Sequence, residues 1–396
     1  MRIAVAKEYA SGETRVALIP ESAKRLIAKG HSVVVMPGAG ERSFIPDQAY
    51  IDAGATIASD SASMMAGADL VCCVGIPESS TIEAMTGGKL LLGMLNPSGN
   101  TDLLSALAKA GGSAIALETV PRITRAQKVD ALSAMSTIAG YRAVILAAEA
   151  SPKLFPMLMT AAGTVTAVKA LIIGAGVAGL QAIATARRLG AVVEAYDIRP
   201  AAKEQVLSLG ARFVELADSG AEDAETAGGY AREQTEAEQE QQRQLMADHI
   251  AASDVVITTA LIPGRPAPKL IDKATVERMR SGAVIVDLAA EAGGNCELTK
   301  PGESVTHDGV TILGPSNLPA QTPVHASQMF SRICEAFVPE LAPESGLAID
   351  LDNDIVGPSL VVHEGEIRFA PAREALGLGP LPEPEPEAEP TPEADA

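Results

Sequence analysis

The amino-acid sequence predicts an α/β protein of two doubly wound parallel-sheet domains with a cleft between them. Two observations lead there. Short β-branched runs alternate with helical patterns in two separate blocks, the grammar of strand–helix–strand units that pair in parallel. The chain also has 396 residues, 47% hydrophobic and 20% charged, enough for two domains that each bury a core.

The first block runs through strand-like residues 3–6, a helix over 21–29, strands at 32–36, around 69–71 and at 90–94, a helix over 102–109 and a strand at 113–117. A helix from about 135 to 150 leads into the second block, with strands at 170–173, 192–196, 212–216, 254–259 and 283–287. Between 218 and 248 the rhythm breaks. Paired Gly228 and Gly229 with Tyr230 precede a Gln/Glu-rich helical stretch, a composition that fits either a mobile flap over a ligand or a plain surface excursion. After 313 come a helix at about 325–337 and short strands at 359–362 and 366–369 that are expected to return to the first domain. The expected division is residues 1–134 with 318–370, residues 135–317, and a Pro/Glu-rich tail over 371–396. Six acids in 381–396 (Glu383, Glu385, Glu387, Glu389, Glu393 and Asp395) alternate mainly with proline, which cannot build a core, so the tail reads as an extended solvated arm.

One turn in the second block carries recognisable chemistry. The apolar strand 169–173 runs into Gly174-Ala175-Gly176-Val177-Ala178-Gly179, an amphipathic stretch follows, and the next strand ends in Asp197, eighteen residues beyond the last glycine. Gly174 permits a tight turn, Gly176 lets the backbone approach a pyrophosphate, and Gly179 lets the helix pack closely on the sheet. The helix N-terminus then faces the phosphates. This is a Rossmann-like dinucleotide site, with Asp197, Ile198 and Arg199 at the adenosine ribose. Asp197 is placed to accept hydrogen bonds from the ribose hydroxyls and to repel a 2′-phosphate, which favours NAD(H) over NADP(H). Arg199 reads as a solvated charge beside that acid, although an arginine there could also serve a phosphate.

Composition excludes several classes. The net charge of -19 and the lack of a basic run argue against a nucleic-acid partner. Cys72, Cys73, Cys296 and Cys334 lack metal-ligand spacing and read as buried, reduced core residues, so no metal is expected. The N-terminus begins directly as a strand without signal-peptide features, and the apolar zone around 144–148, interrupted by Arg142 and Glu149, reads as a buried helix with no direct membrane insertion.

A dehydrogenase acting on an alcohol or amine also moves a proton, usually through His or Lys. None of the five histidines, His31, His249, His307, His325 and His363, flags such a position. The polar segment 119–133 offers Arg122, Gln127, Asp130 and Ser133, which can hold a nicotinamide carboxamide and ribose without proton transfer. Spacing alone reads the same segment as a capped helix start with exposed charges.

The long motifs around 121–143, 174–180, 226–231, 258–269 and 287–295, with Lys7-Glu8 and Glu13-Thr14-Arg15, resemble the NAD(H)-binding component of proton-translocating nicotinamide nucleotide transhydrogenases. The resemblance extends to about residue 318. It implies a homodimeric subunit that binds NADH and passes hydride directly to NADP+ on a partner, an NADP(H)-binding beta subunit, coupled to proton movement by a membrane-embedded subunit. It further implies a cytoplasmic protein held on the inner face of the plasma membrane through those partners. By position, Arg122, Gln127, Asp130 and Ser133 match the loop around the nicotinamide, and Asp197 the ribose acid. Gly229 and Tyr230 match the mobile loop, and Thr259, Ala260 and Leu261 the motif after the fourth strand of the second block. Direct transfer between two nicotinamides needs orientation, not an acid or base.

Alanine dehydrogenases resemble the chain more distantly. They use a lysine after the third strand and a histidine after the fourth, whereas the corresponding stretches 71–77 and 91–97 contain neither. A third reading is an NAD(H)-binding module without chemistry of its own.

Overall fold

The computed structural model describes residues 1–215, 236–261, 265–342 and 346–381. The expected flap with Gly229 and Tyr230, and most of the acidic tail, lie outside them.

The strands in chain order are β1 (Arg2–Val5), β2 (Ser32–Val35), β3 (Thr56–Ile57), β4 (Leu70–Cys72), β5 (Leu90–Gly93), β6 (Ser113–Ala116), β7 (Leu158–Thr160), β8 (Gly163–Val165), β9 (Lys169–Ile173), β10 (Val192–Tyr196), β11 (Arg212–Phe213), β12 (Val255–Thr258), β13 (Val284–Asp287), β14 (Ser304–His307), β15 (Val310–Leu313), β16 (Leu360–His363) and β17 (Glu366–Ile367). They form an eight-stranded sheet ordered β17-β16-β6-β5-β4-β1-β2-β3, a seven-stranded sheet ordered β11-β10-β9-β12-β13-β15-β14, and the separate hairpin β7-β8. Pairing is parallel through the centre of both main sheets. Both large sheets are finished by antiparallel strands, β16 against β6 and β14 against β15. The strands near 359 and 366 thus do return to the first sheet.

Both faces of each main sheet are covered, which is why the central strands are apolar throughout. Along β1, Ile3 and Val5 point into one core while Ala4 and the following Ala6 point into the other, the two-residue period of a strand. All four cysteines are buried, and burial pushes the Cys296 thiol up to about 11.

The helix expected from 135 begins earlier, at Ala131, and runs to Ala150. It is the one helix among the described residues long and apolar enough to cross a membrane. Here it packs against the helices Val177–Arg188 and Pro323–Leu341. The contact with the first of these is close: a Cβ on Gly140 would stand 2.1 Å from the Ala178 carbonyl oxygen. The helix Pro323–Leu341 packs into the core of the first domain and holds the segment that follows β1 through buried serines. Ser327 Oγ accepts Val16 N–H at 3.0 Å, and Ser331 Oγ accepts Ile19 N–H at 2.9 Å.

The short hairpin β7-β8 has no counterpart in the strand pattern expected from the sequence. It belongs to neither main sheet and exposes Met157, Leu158, Met159 and Val165, with Met159 76% accessible.

The Gly140 contact makes a direct prediction. Gly140→Val should cost about 3 kcal/mol of unfolding free energy, as expected for forcing extra atoms into a closed contact. Chemical denaturation of the chain would measure it, and a loss below about 1 kcal/mol would mean that the two helices can separate easily.

Candidate dinucleotide site

In a doubly wound sheet the ligand crevice opens outside the carboxyl ends of the strands where strand order reverses. In the second sheet that point lies between β9 and β12. Gly174 follows β9 and Thr259 follows β12, so the topology brings together two segments 85 residues apart in the chain. Thr259 Oγ1 donates to the Gly174 carbonyl at 3.0 Å, and a Cβ on Gly174 would stand 2.4 Å from that hydroxyl. Gly174 has φ +96°, a conformation that favours glycine. A Cβ on Gly179 would fall 1.8 Å from the Gly174 carbonyl oxygen, so the helix can begin this close to the strand only without one. Gly176 is the N-cap of helix Val177–Arg188, and its Cβ direction is open except for the Arg199 guanidinium 4.0 Å away. The first N–H groups of this helix, from Val177 and Ala178 onward, have no partner within the helix and make the turn an anion seat.

Asp197 closes the crevice from the end of β10. Its carboxylate is buried, accepts Ala175 N–H at 2.7 Å and Arg199 N–H at 2.8 Å, and is gripped by Arg199 Nε and Nη2 at 2.9 Å each. Arg199 is therefore not the solvated charge that the sequence suggested. It forms a two-pronged ion pair with Asp197, and Ile198 between them is partly buried.

The loop after β12 is held from below. Asn295, fully buried, accepts Ala260 N–H at 3.1 Å and donates to the carbonyls of Ala260 at 2.8 Å and Pro268 at 2.9 Å. Asp287 at the end of β13 is also fully buried. It accepts from Thr258 Oγ1, Ala289 N, Cys296 N and Thr299 Oγ1 at 2.7–3.0 Å, so its charge is met on every side. Sequence reasoning placed both residues inside a motif without giving either a role. The signal was an acid at a strand end followed by Gly293-Gly294, where φ is +99° and +81°. Leu261 stays exposed at the lip of this loop.

The polar segment of the first domain forms the capped helix start with exposed charges that spacing alone suggested. Asp130 caps the helix Ala131–Ala150, accepting Ser133 N–H at 2.8 Å and the Ser133 hydroxyl at 2.6 Å. Arg125 and Lys128 bind Glu340, Lys128 at 2.9 Å, while the side chains of Arg122 and Gln127 are exposed. Asp130 and Ser133 thus sit together at the start of the same helix whose Gly140 lies against Ala178 of the glycine turn.

Where the chain leaves the second sheet after β15, Glu13 and Arg15 form a buried pair at 2.8 and 2.6 Å that also engages Asn317, and Asn317 has φ +44°. This network joins residues some three hundred positions apart. In the first sheet the order reverses between β1 and β4, and there Glu8 accepts Val74 N–H at 2.6 Å and Gly75 N–H at 3.2 Å. Burial pushes its carboxyl up to about 7, against those two hydrogen bonds. The histidines occupy structural or surface positions: His363 meets Ser113 at 3.0 Å, His307 meets Glu277 at 3.1 Å, and His325 is exposed.

The first domain model that matches, over residues 4–139, is described as "Alanine dehydrogenase/PNT, N-terminal domain", and the second, over residues 143–370, as the corresponding C-terminal domain. The chain belongs to the alanine dehydrogenase/PNT family. It is 45% identical over 374 residues to an NAD(P) transhydrogenase alpha subunit of Rhodospirillum rubrum, covering 93% of this chain and 97% of that protein. A transhydrogenase structure from Sinorhizobium meliloti superposes with a TM-score of 0.81 at 41% identity, over 93% of this chain and 98% of that one. An L-alanine dehydrogenase structure superposes nearly as well, with a TM-score of 0.80 over 95% of this chain and 99% of that one, but at 27% identity. Both branches share the fold, and the sequence similarity is greater on the transhydrogenase side.

The raised Glu8 carboxyl predicts a pH dependence with a defined sign. The folded chain holds this proton to about pH 7 while the unfolded chain releases it near 4.5, so stability falls as pH rises through that window. Glu8→Gln cannot ionise, so its stability relative to the parent should rise by about 3 kcal/mol from the bottom of the window to above its top. Denaturation of both proteins across that range measures the difference, and a difference independent of pH contradicts it.

Proposed function

We propose that the chain is the NAD(H)-binding subunit of a proton-translocating transhydrogenase, passing hydride directly between its own nicotinamide and NADP(H) on a partner subunit. The observation that carries this reading is the state of Asp130. It is the acid of the polar loop, and it is locked as a helix cap by Ser133, which suits holding a carboxamide and ribose and does not suit shuttling a proton. Hydride transfer between nicotinamides moves one hydrogen with two electrons from ring to ring and releases no proton at the site. Placement is then the whole task.

In this reading Gly174, Gly176, Val177, Ala178 and Gly179 seat the pyrophosphate, and Asp197 with Ile198 and Arg199 takes the adenosine ribose. Thr259, Ala260 and Leu261 line the far wall, Gly229 and Tyr230 close over the ligand, and Arg122, Gln127, Asp130 and Ser133 orient the nicotinamide. The divided limits, 1–134 with 318–370 and 135–317, make the two walls of the cleft. A membrane-embedded subunit couples transfer to proton movement and holds the chain at the cytoplasmic face of the plasma membrane. The alanine dehydrogenase reading is less favoured because Gly75 and Asn96 stand in the stretches after β4 and β5 where that family uses lysine and histidine.

The experiment is hydride transfer from NADPH to an NAD analogue of distinct absorbance, with the chain alone and then with the NADP(H)-binding subunit. Activity in the mixture alone supports the reading, and tight NADH binding without activity in either leaves a binding module. Within the active mixture, Asp130→Asn keeps a good helix cap. It and Gln127→Asn should slow transfer by about 100-fold while changing NADH affinity far less, because a misplaced ring loses reactive geometry first. Equal losses in rate and affinity would make both simple binding residues.

A homodimer follows from the same reading, supported by the exposed apolar hairpin β7-β8. Leu158→Asp with Met159→Asp should convert a dimer to monomer in light scattering after gel filtration. A dimer that persists would put the contact elsewhere.

A further inference from the structure

A carboxylate offers about four acceptor positions. Asp197 has four N–H donors on it: Ala175 N, Arg199 N, and Arg199 Nε and Nη2. Two are backbone groups fixed by the turns around them, and two belong to a movable side chain that is 18% accessible. An adenosine ribose presents two hydroxyls that need two acceptor positions. Only the Arg199 side chain can vacate them without unfolding a turn. We propose that Arg199 is a displaceable counter-ion that sets nucleotide specificity: its guanidinium leaves Asp197 when the ribose of NAD(H) binds, and the same guanidinium is what tolerates a 2′-phosphate. The inference rests on the dinucleotide reading of this site.

The destination of the side chain is already in reach. Arg199 Nη2 lies 4.0 Å from where a Cβ on Gly176 would stand, beside the helix N-terminus that seats phosphates. A planar fork that grips a carboxylate grips a phosphate equally well. Asp197 alone, buried, would reject a 2′-phosphate by charge. With Arg199 beside it the pair is neutral, and a 2′-phosphate finds a partner in the guanidinium while Asp197 supplies the repulsion. NAD(H) binding is then an exchange in which Asp197 trades an arginine for two hydroxyls, and the arginine fills the acid's acceptor positions until the ribose arrives.

The test compares the parent chain with Arg199→Ala and Arg199→Lys in fluorescence titrations with NADH and NADPH. For Arg199→Ala, NADPH binding should weaken by a larger factor than NADH binding, so that the ratio of the two affinities shifts at least about tenfold toward NADH. Arg199→Lys, which keeps the charge and loses the fork, should fall between. Loss of affinity for both nucleotides to the same degree overturns the specificity role, and the lysine variant answers the same question if the alanine variant does not fold. Displacement itself is read in the parent chain by arginine-selective ¹⁵N NMR, where the Arg199 Nε–H signal should shift on saturation with NADH. NADH binding with that signal unmoved overturns this inference alone. Failure of the parent chain to bind NADH overturns the dinucleotide reading and this inference with it.

Discussion

The arrangement depends on a chain of contacts that leave no room for a Cβ. Gly179 lies against the Gly174 carbonyl, Gly174 against the Thr259 hydroxyl, and Gly140 against the Ala178 carbonyl. The first two draw the helix Val177–Arg188 down onto β9 and β12, which fixes where its free N–H groups point. The third fastens the long helix Ala131–Ala150 to that same helix start. From its Asp130 cap to Gly140 the long helix rises about 15 Å. The polar loop and the anion seat are therefore held at a set distance by rigid elements, although one belongs to each wall of the cleft.

Charge is handled in a similar way. Three buried acids near strand ends, Asp197, Asp287 and Glu8, each accept backbone N–H groups from a neighbouring segment, so each ties two segments together while its own desolvation is offset. They differ in what else they meet. Asp287 has two hydroxyl donors, Glu8 is held by the two backbone groups and carries a raised pKa, and Asp197 is paired with an arginine side chain.

The glycine turn and Asp197 were legible in the sequence because their meaning is local: a strand, a turn and a helix start within thirty residues. The parallel cores were legible for a similar reason, since central strands buried on both faces are apolar along their whole length. What could not be read depends on partners distant in the chain. The antiparallel edge strand β14 has only four residues, and the β7-β8 hairpin is apolar yet exposed, so neither stood out as a strand. The Glu13–Arg15–Asn317 network needs segments from opposite ends of the chain in one place. Arg199 looked solvated because its position two residues past Asp197 says nothing about which way its side chain folds. The cap formed by Asp130 and Ser133 was legible from spacing, because a cap needs only residues three positions apart.

The central claim is that this chain positions a nicotinamide for direct transfer and contributes no proton carrier. The most direct measurement is the fate of deuterium on the transferring position of NADPH when the chain and its NADP(H)-binding partner reduce NAD+, followed by mass spectrometry of the NADH formed. The account predicts that the deuterium arrives intact in NADH with no hydrogen drawn from water. Solvent hydrogen at that position would contradict it, because it would require an acid or a carrier between the two rings.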